Sequence, residues 1–137
     1  MNNCLFCKIA QKELPVKIVN ESDNFIAFLD IHPHAPGHIL VMPKKHFANL
    51  EEFELELSYE FIKIIKETMQ LLTKALETKD FTLGINEGSL AGQAVLHLHF
   101  HILPRFKNDK GGSIHSVVFN QPKESLDEIY QKIQNAR

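Results

Sequence analysis

One stretch constrains this chain more than any other: His97-Leu98-His99-Phe100-His101-Ile102-Leu103, in which three histidines alternate with large apolar residues. Side chains of a strand point alternately to its two faces. This period therefore places the three imidazoles on one face and Leu98, Phe100 and Ile102 on the other, where they can bury in a core. Neighbouring imidazoles start about 6.5–7 Å apart, at a rise of ~3.3 Å per residue. Such a row can bind one metal ion or bracket a group the size of a phosphate.

The rest of the chain supplies elements for this strand to pack with. Cys4 to Ala10 reads as a compact turn or short helix, closed off by Pro15. Val16–Asn20 and Phe25–Asp30 are short apolar runs around the polar turn Glu21-Ser22-Asp23-Asn24, which suggests a hairpin. Pro33, Pro36 and Gly37 make Ile31–Gly37 a loop, and His38–Met42 is a third strand stopped by Pro43. From Leu57 to Leu76, the residues Leu57, Phe61, Ile64, Ile65, Thr68, Leu72 and Leu76 recur at helical spacing. Phe81–Asn86 and Leu96–Leu103 are the fourth and fifth strands, and Glu124–Ile133 a closing helix that starts near Glu124 or Ser125. Strands drawn from distant parts of the chain, with few βαβ units, predict an α+β fold: a five-stranded antiparallel sheet, one long helix and a short C-terminal helix. With 137 residues, 44% of them apolar, one domain over residues 1–137 is expected. Gly111-Gly112, with Asn108, Asp109 and Lys110, marks a connecting loop expected to be mobile.

Charge and composition exclude several functions. The net charge is −2 and no basic stripe exists to follow a nucleic-acid backbone. No apolar run reaches the length of a membrane span, and Lys8, Gln11 and Lys12 interrupt the start too early for a signal peptide. Two cysteines without a secretory signal fit the reducing cytoplasm, where close cysteines more often bind metal than form a disulfide.

The histidine row is entered from a polar loop, Asn86-Glu87-Gly88-Ser89-Leu90-Ala91-Gly92-Gln93-Ala94. Glycine lets a backbone approach an anion closely, and successive N–H groups in such a loop can form an anion nest. Leading directly into three histidines, the loop points to a bound phosphate. Separately, Cys4-Leu5-Phe6-Cys7 has the spacing that brings two thiolates to one tetrahedral metal, although two plain buried thiols would satisfy the motif equally.

Taken together, these segments resemble the histidine triad family of nucleotide hydrolases and transferases. Gly92 to Arg105 resembles the family signature, Asp30 to His46 its first block and Asn86-Glu87-Gly88 its middle one. The resemblance spans Cys4 to Arg105, leaves residues 106–137 as a less informative tail, and is closest to the bacterial nucleoside phosphoramidate hydrolases.

The resemblance implies a two-fold homodimer and a nucleotidyl-histidine mechanism. His99, the middle histidine, would be the nucleophile toward the α-phosphorus of a nucleotide. An ordinary imidazole pKa of about 6.5 leaves it largely neutral at pH 7. Its other ring nitrogen must be held, by a backbone carbonyl, to fix the tautomer. His101, Asn86, Gln93 and the N–H of Ala94 would bind phosphate oxygens, and Asp30 would accept ribose hydroxyls; as a plain alternative, Asp30 is a loop carboxylate or cap. Family members close to the human phosphoramidases have serine at the position of Ala94, so here protonation of the leaving group must come from elsewhere or be slower. In many bacterial relatives the residues matching Cys4, Cys7, His46 and His97 hold a structural zinc ion, which the resemblance therefore implies as cofactor.

The substrates implied are purine nucleoside 5'-phosphoramidates, that is, conjugates of AMP with an amine. Two alternatives stand beside them: hydrolysis of dinucleoside polyphosphates through the same His99, and a zinc-stabilised nucleotide-binding or adaptor protein with incidental catalysis. An apolar base pocket is expected near Phe28 and Ile18. His32, His34 and His38 read as solvent-facing or mouth residues, and His115 as exposed.

Overall fold

Five strands run antiparallel to their neighbours in the order β1-β2-β3-β5-β4: β1 Ile18–Glu21, β2 Phe25–Leu29, β3 Ile39–Pro43, β4 Phe81–Gly84 and β5 Phe100–Pro104. Among the described residues three α-helices accompany them: α1 Leu5–Ala10, α2 Ser58–Leu76 and α3 Leu126–Asn135. This is a computed structural model, and it describes residues 3–137. The α+β fold with one long and one short C-terminal helix is as the sequence predicts.

Both faces of the central strands are covered, so β2 and β3 read as nearly continuous apolar runs. Odd-numbered Phe25, Ala27, Ile39 and Val41 meet Phe61, Ile64, Ile65 and Leu72 of α2, together with Leu98 and Ile102. Even-numbered Ile26, Phe28, Leu40 and Met42 pack with Phe6 and Ile9 of α1 on the other face. Leu40 lies opposite His101 in the β3–β5 register, so His101 shares the α1 face. The long helix covers one side, and the short helix and the histidines share the other.

Boundaries differ from the sequence reading in instructive places. The fifth strand begins at Phe100 rather than Leu96. Upstream of it the Leu98 N–H turns to the carbonyl of Phe47 at 2.7 Å, and the His97 ring takes the Pro43 carbonyl. Pro43 closes β3 from inside, paired with Phe25 at the strand end, where its missing N–H is tolerated. The first strand starts at Ile18, not Val16, and the fourth ends at Gly84, not Asn86. α2 starts at Ser58 after a 3₁₀ turn over Leu55–Leu57 and stops where Glu77 turns left-handed.

α3 is capped by Ser125, whose hydroxyl accepts the Glu128 N–H, and buries none of its residues. The loop around Gly111-Gly112 is tied to Arg105 and to β4. Arg105 forks onto both Asp109 oxygens at 2.8 and 3.1 Å and also reaches Thr82 and the Gly112 carbonyl. The same carboxylate accepts the N–H groups of Phe106 and Gly111. No helix among the described residues is long and apolar enough to cross a membrane.

Candidate active site and metal-ligand cluster

The alternation across residues 97–102 survives the break in regular strand. Leu98 and Ile102 are buried toward α2, while His97, His99 and His101 turn to the α1 side. His99 and His101 line a cavity of about 510 Å³, a size typical of small-ligand sites, together with Asp30, Asn86 and Ala94. One wall is apolar, built from Leu5, Phe6 and Ile9 of α1 with Val16, Phe28 and Leu40. Phe28 lies where the base pocket was expected. Ile18 does not: on the edge strand β1 it is 42% exposed, and the chain before it, Leu14 to Val16, takes its place on the wall.

Hydrogen bonds fix the proton positions of the imidazoles. His99 is buried, and its Nδ1–H donates to the carbonyl of His97 at 2.7 Å, which leaves Nε2 as a bare lone pair. The carbonyl partner expected for the middle histidine is thus its own neighbour two residues back. His38 Nδ1 accepts the His34 backbone N–H at 3.1 Å, so the proton of neutral His38 sits on Nε2. That Nε2–H donates to His101 Nδ1 at 2.9 Å. His101 must then carry its own proton on Nε2, as a donor. Burial pushes His101 down to about 4, with His99 and His38 adding to the effect, and burial likewise lowers His38. Both are neutral at pH 7, as this chain of tautomers requires.

His38 corrects the sequence reading. It is 3% exposed, not a solvent-facing residue, and it orients His101. Strand parity carried the signal, since His38 precedes Leu40 and Met42 on one face of the third strand; the pairing of that strand with the fifth was needed to read it. His32 and His34 are exposed at the cavity mouth as expected, and so is His115 elsewhere. Asp30 does two things: Oδ1 accepts the His32 N–H at 2.9 Å, closing the loop turn, and Oδ2 lies 3.6 Å from His38 Nε2. The trio Asp30, His38 and His101 has the composition of a metal site, but a proton held between the two imidazoles occupies the coordinating positions.

Gln93 is the other correction. Its amide oxygen accepts the Gly88 N–H, and its NH₂ donates to the carbonyls of Ala48 and Val95. The side chain is consumed in shaping the loop and does not line the cavity, whereas Asn86 and Ala94 do.

A second cluster lies beside His99. Cys4 Sγ, Cys7 Sγ, His46 Nδ1 and His97 Nδ1 all fall within 4.8 Å of one another. The sulfur–nitrogen separations are 3.4 Å for Cys4–His97, 3.3 Å for Cys7–His46 and 3.6 Å for Cys7–His97. Zn–S of ~2.3 Å and Zn–N of ~2.0–2.1 Å at tetrahedral angles require about 3.5 Å, so the donor set fits that ion. The tautomer fits as well. His97 Nε2–H donates to the Pro43 carbonyl at 2.8 Å and leaves Nδ1 bare toward the sulfurs. His97 is fully buried and pushed down to about 4, chiefly by burial, which also favours the neutral, ligating ring. Burial and the neighbouring Cys4 push the Cys7 thiol up to about 11, so it would release a proton on binding a cation.

Comparison with known proteins agrees with this geometry. The HIT domain family model matches residues 11–108. An uncharacterised HIT-like protein of Methanocaldococcus jannaschii is 42% identical over 131 residues, 95% of this chain and 98% of that one. The adenosine 5'-monophosphoramidase hnt1 of Schizosaccharomyces pombe is 36% identical over 109 residues, 80% of this chain and 79% of its own. The crystal structure of SMU.412c from Streptococcus mutans is similar with a TM-score of 0.86 at 32% identity, covering 99% of this chain and 84% of that one. A histidine row in register with a covered sheet, a matching domain model and near full-length relatives lead to one conclusion: the chain belongs to the histidine triad (HIT) family.

Proposed function

We propose that this chain hydrolyses nucleoside 5'-phosphoramidates, conjugates of AMP with an amine, through a nucleotidyl intermediate on His99. The observation that carries this reading is the pair of tautomers at one cavity: a lone pair on His99 Nε2 and a proton on His101 Nε2. In the first step His99 Nε2 attacks the α-phosphorus, the Nε2–P bond forms and the P–N bond breaks. The amine leaves with the electron pair of that bond and takes a proton from solvent at the open mouth, where Ala94 offers no hydroxyl. Water then attacks phosphorus, the Nε2–P bond breaks, and nucleoside monophosphate and one proton are released. Splitting the displacement in two is the gain from covalent catalysis. The His101 Nε2–H and the Ala94 N–H are donors for the charge that builds on phosphate oxygens, Asp30 accepts ribose hydroxyls, and the apolar wall takes the base.

An amine is favoured over a second nucleotide as leaving group. No lysine or arginine lines the cavity among the described residues, so no permanent cation there would neutralise a polyphosphate chain. The phosphoramidase relative supports the same choice.

The reading includes a structural zinc ion held by Cys4, Cys7, His46 and His97, which would tie α1 to the strand that carries His99. It also includes a two-fold homodimer. The chain exposes 10040 Å², whereas a compact monomer of its mass exposes about 7,300 Å². Tyr59, Ile62 and Leu71 on α2, with Phe119 and Leu126 in the tail, are exposed apolar residues that a second copy would cover.

The test is hydrolysis of a fluorogenic adenosine phosphoramidate and of a diadenosine polyphosphate by the wild type and His99→Ala, with AMP binding measured on both. Turnover of the phosphoramidate by the wild type alone is expected. Equal activity in the two proteins, or AMP binding without turnover of either substrate, would overturn the covalent mechanism.

A further inference from the structure

α1 has two tasks on six residues. Cys4, its N-cap, and Cys7 point their sulfurs at His46 and His97, while Leu5, Phe6 and Ile9 face the nucleotide cavity. A helix this short has no stability of its own, so what its side chains hold decides where it sits. Phe6 lies between the two sites. It is 6% exposed, and its ring meets His99 at 5.0 Å between centroids and 87°, His97 at 5.9 Å and 75°, and Phe28 at 6.0 Å and 77°. One aromatic ring thus touches a member of the metal-ligand set, the nucleophile and the base wall.

From this we infer that metal occupancy at Cys4, Cys7, His46 and His97 and nucleotide occupancy of the cavity are thermodynamically coupled through α1, with Phe6 as the positioning residue that carries the coupling. The inference rests on the nucleotide reading of the cavity. Its physical basis is the ordering of one segment by two ligands. With the sulfurs held, α1 is already placed as a wall, and a nucleotide binds without first having to order it. With the sulfurs free, the competent arrangement is one of several, and apparent affinity falls by the competent fraction. Linkage then requires the converse: a nucleotide that presses on Leu5, Phe6 and Ile9 must tighten the metal by the same factor.

The experiment closes this cycle on the 137-residue chain with zinc and AMP as the probes. Zinc affinity is measured by competition with a chelator, with and without saturating AMP. AMP affinity is measured by calorimetry on zinc-loaded and zinc-stripped protein. Wild type is expected to give a factor on the order of tenfold, equal in both directions, within the range usual for coupled sites. Phe6→Leu, which keeps a buried apolar side chain but not the ring, is expected to take up zinc still and to weaken AMP more on zinc-loaded than on zinc-stripped protein, which brings the factor below about twofold. A merely structural role for Phe6 would shift both affinities and leave their ratio intact. If stripping unfolds the protein, the chelator arm still reports the factor from loaded protein, and a factor undiminished in Phe6→Leu overturns the assignment.

AMP binding with no change in zinc affinity overturns the coupling and leaves the nucleotide reading standing. Absence of AMP binding to zinc-loaded wild type removes the nucleotide reading and the coupling together. Failure to take up zinc also overturns the coupling.

Discussion

Acid should destabilise this fold through His101 in a defined window. Burial, with His99 and His38 beside it, holds the imidazole down at about 4, whereas in the unfolded chain it titrates near 6.5. Above pH 6.5 the ring is neutral in both states and contributes no pH dependence. As pH falls from 6.5 to 4 the unfolded chain takes up a proton that the folded chain refuses, so stability falls; below 4 both states carry it and the loss stays constant. At about 1.36 kcal/mol per pH unit the window sets a ceiling of about 3 kcal/mol, and the partial solvent access of the ring reduces this to about 2. His38 is depressed by burial, opposed by Asp30 and aided by His34, and adds in the same direction. The assay is urea unfolding of the wild type and His101→Gln between pH 8 and 4.5. Subtracting the two curves cancels what they share, including the Cys4–Cys7–His46–His97 cluster. The stability advantage of the wild type should shrink by about 1.5 kcal/mol between pH 7 and 4.5, the part of the loss that this range covers. A difference that stays constant across that range would refute the placement of a neutral His101 beside His38.

Other perturbations have equally direct readouts. His38→Ala removes the Nε2–H that sets the His101 tautomer and leaves a buried acceptor unpaired; the lost hydrogen bond is worth about 1–2 kcal/mol. It is expected to lower kcat on the order of tenfold with KM nearly unchanged, measured on the fluorogenic phosphoramidate. Gly37→Ala should destabilise the chain by about 2 kcal/mol in urea melts. Its φ is +81°, and a Cβ there would meet Leu76 Cδ1 at 2.5 Å and Leu72 Cδ2 at 3.1 Å. Cys7→Ser is expected to lose bound zinc by elemental analysis and to lower Tm by about 5 °C or more in calorimetry.

Period and parity determined a large part of this protein before any tertiary contact. The alternation across residues 97–103 set which side chains face the core and which the chemistry. The helical spacing from Leu57 to Leu76 and the turn residues between strands set the elements. These are local properties of a pleated strand and a 3.6-residue helix, so one sequence is enough to read them.

Tertiary structure decided what depends on residues meeting across the chain. Gln93, exposed to choice as a phosphate ligand in the sequence, is committed to Ala48, forty-five positions away. His38, read in the sequence as the solvent-facing or mouth residue that opens the third strand, becomes the partner of His101 only because β3 pairs with β5. Phe6 reads as a spacer between two cysteines until α1 lies against the histidine face. The tautomer of each imidazole follows from a partner that strand pairing supplies, and periodicity alone carries no information about that partner. Sequence determined which faces exist; the pairing of β3 with β5 and the seating of α1 decided which atoms on them can react.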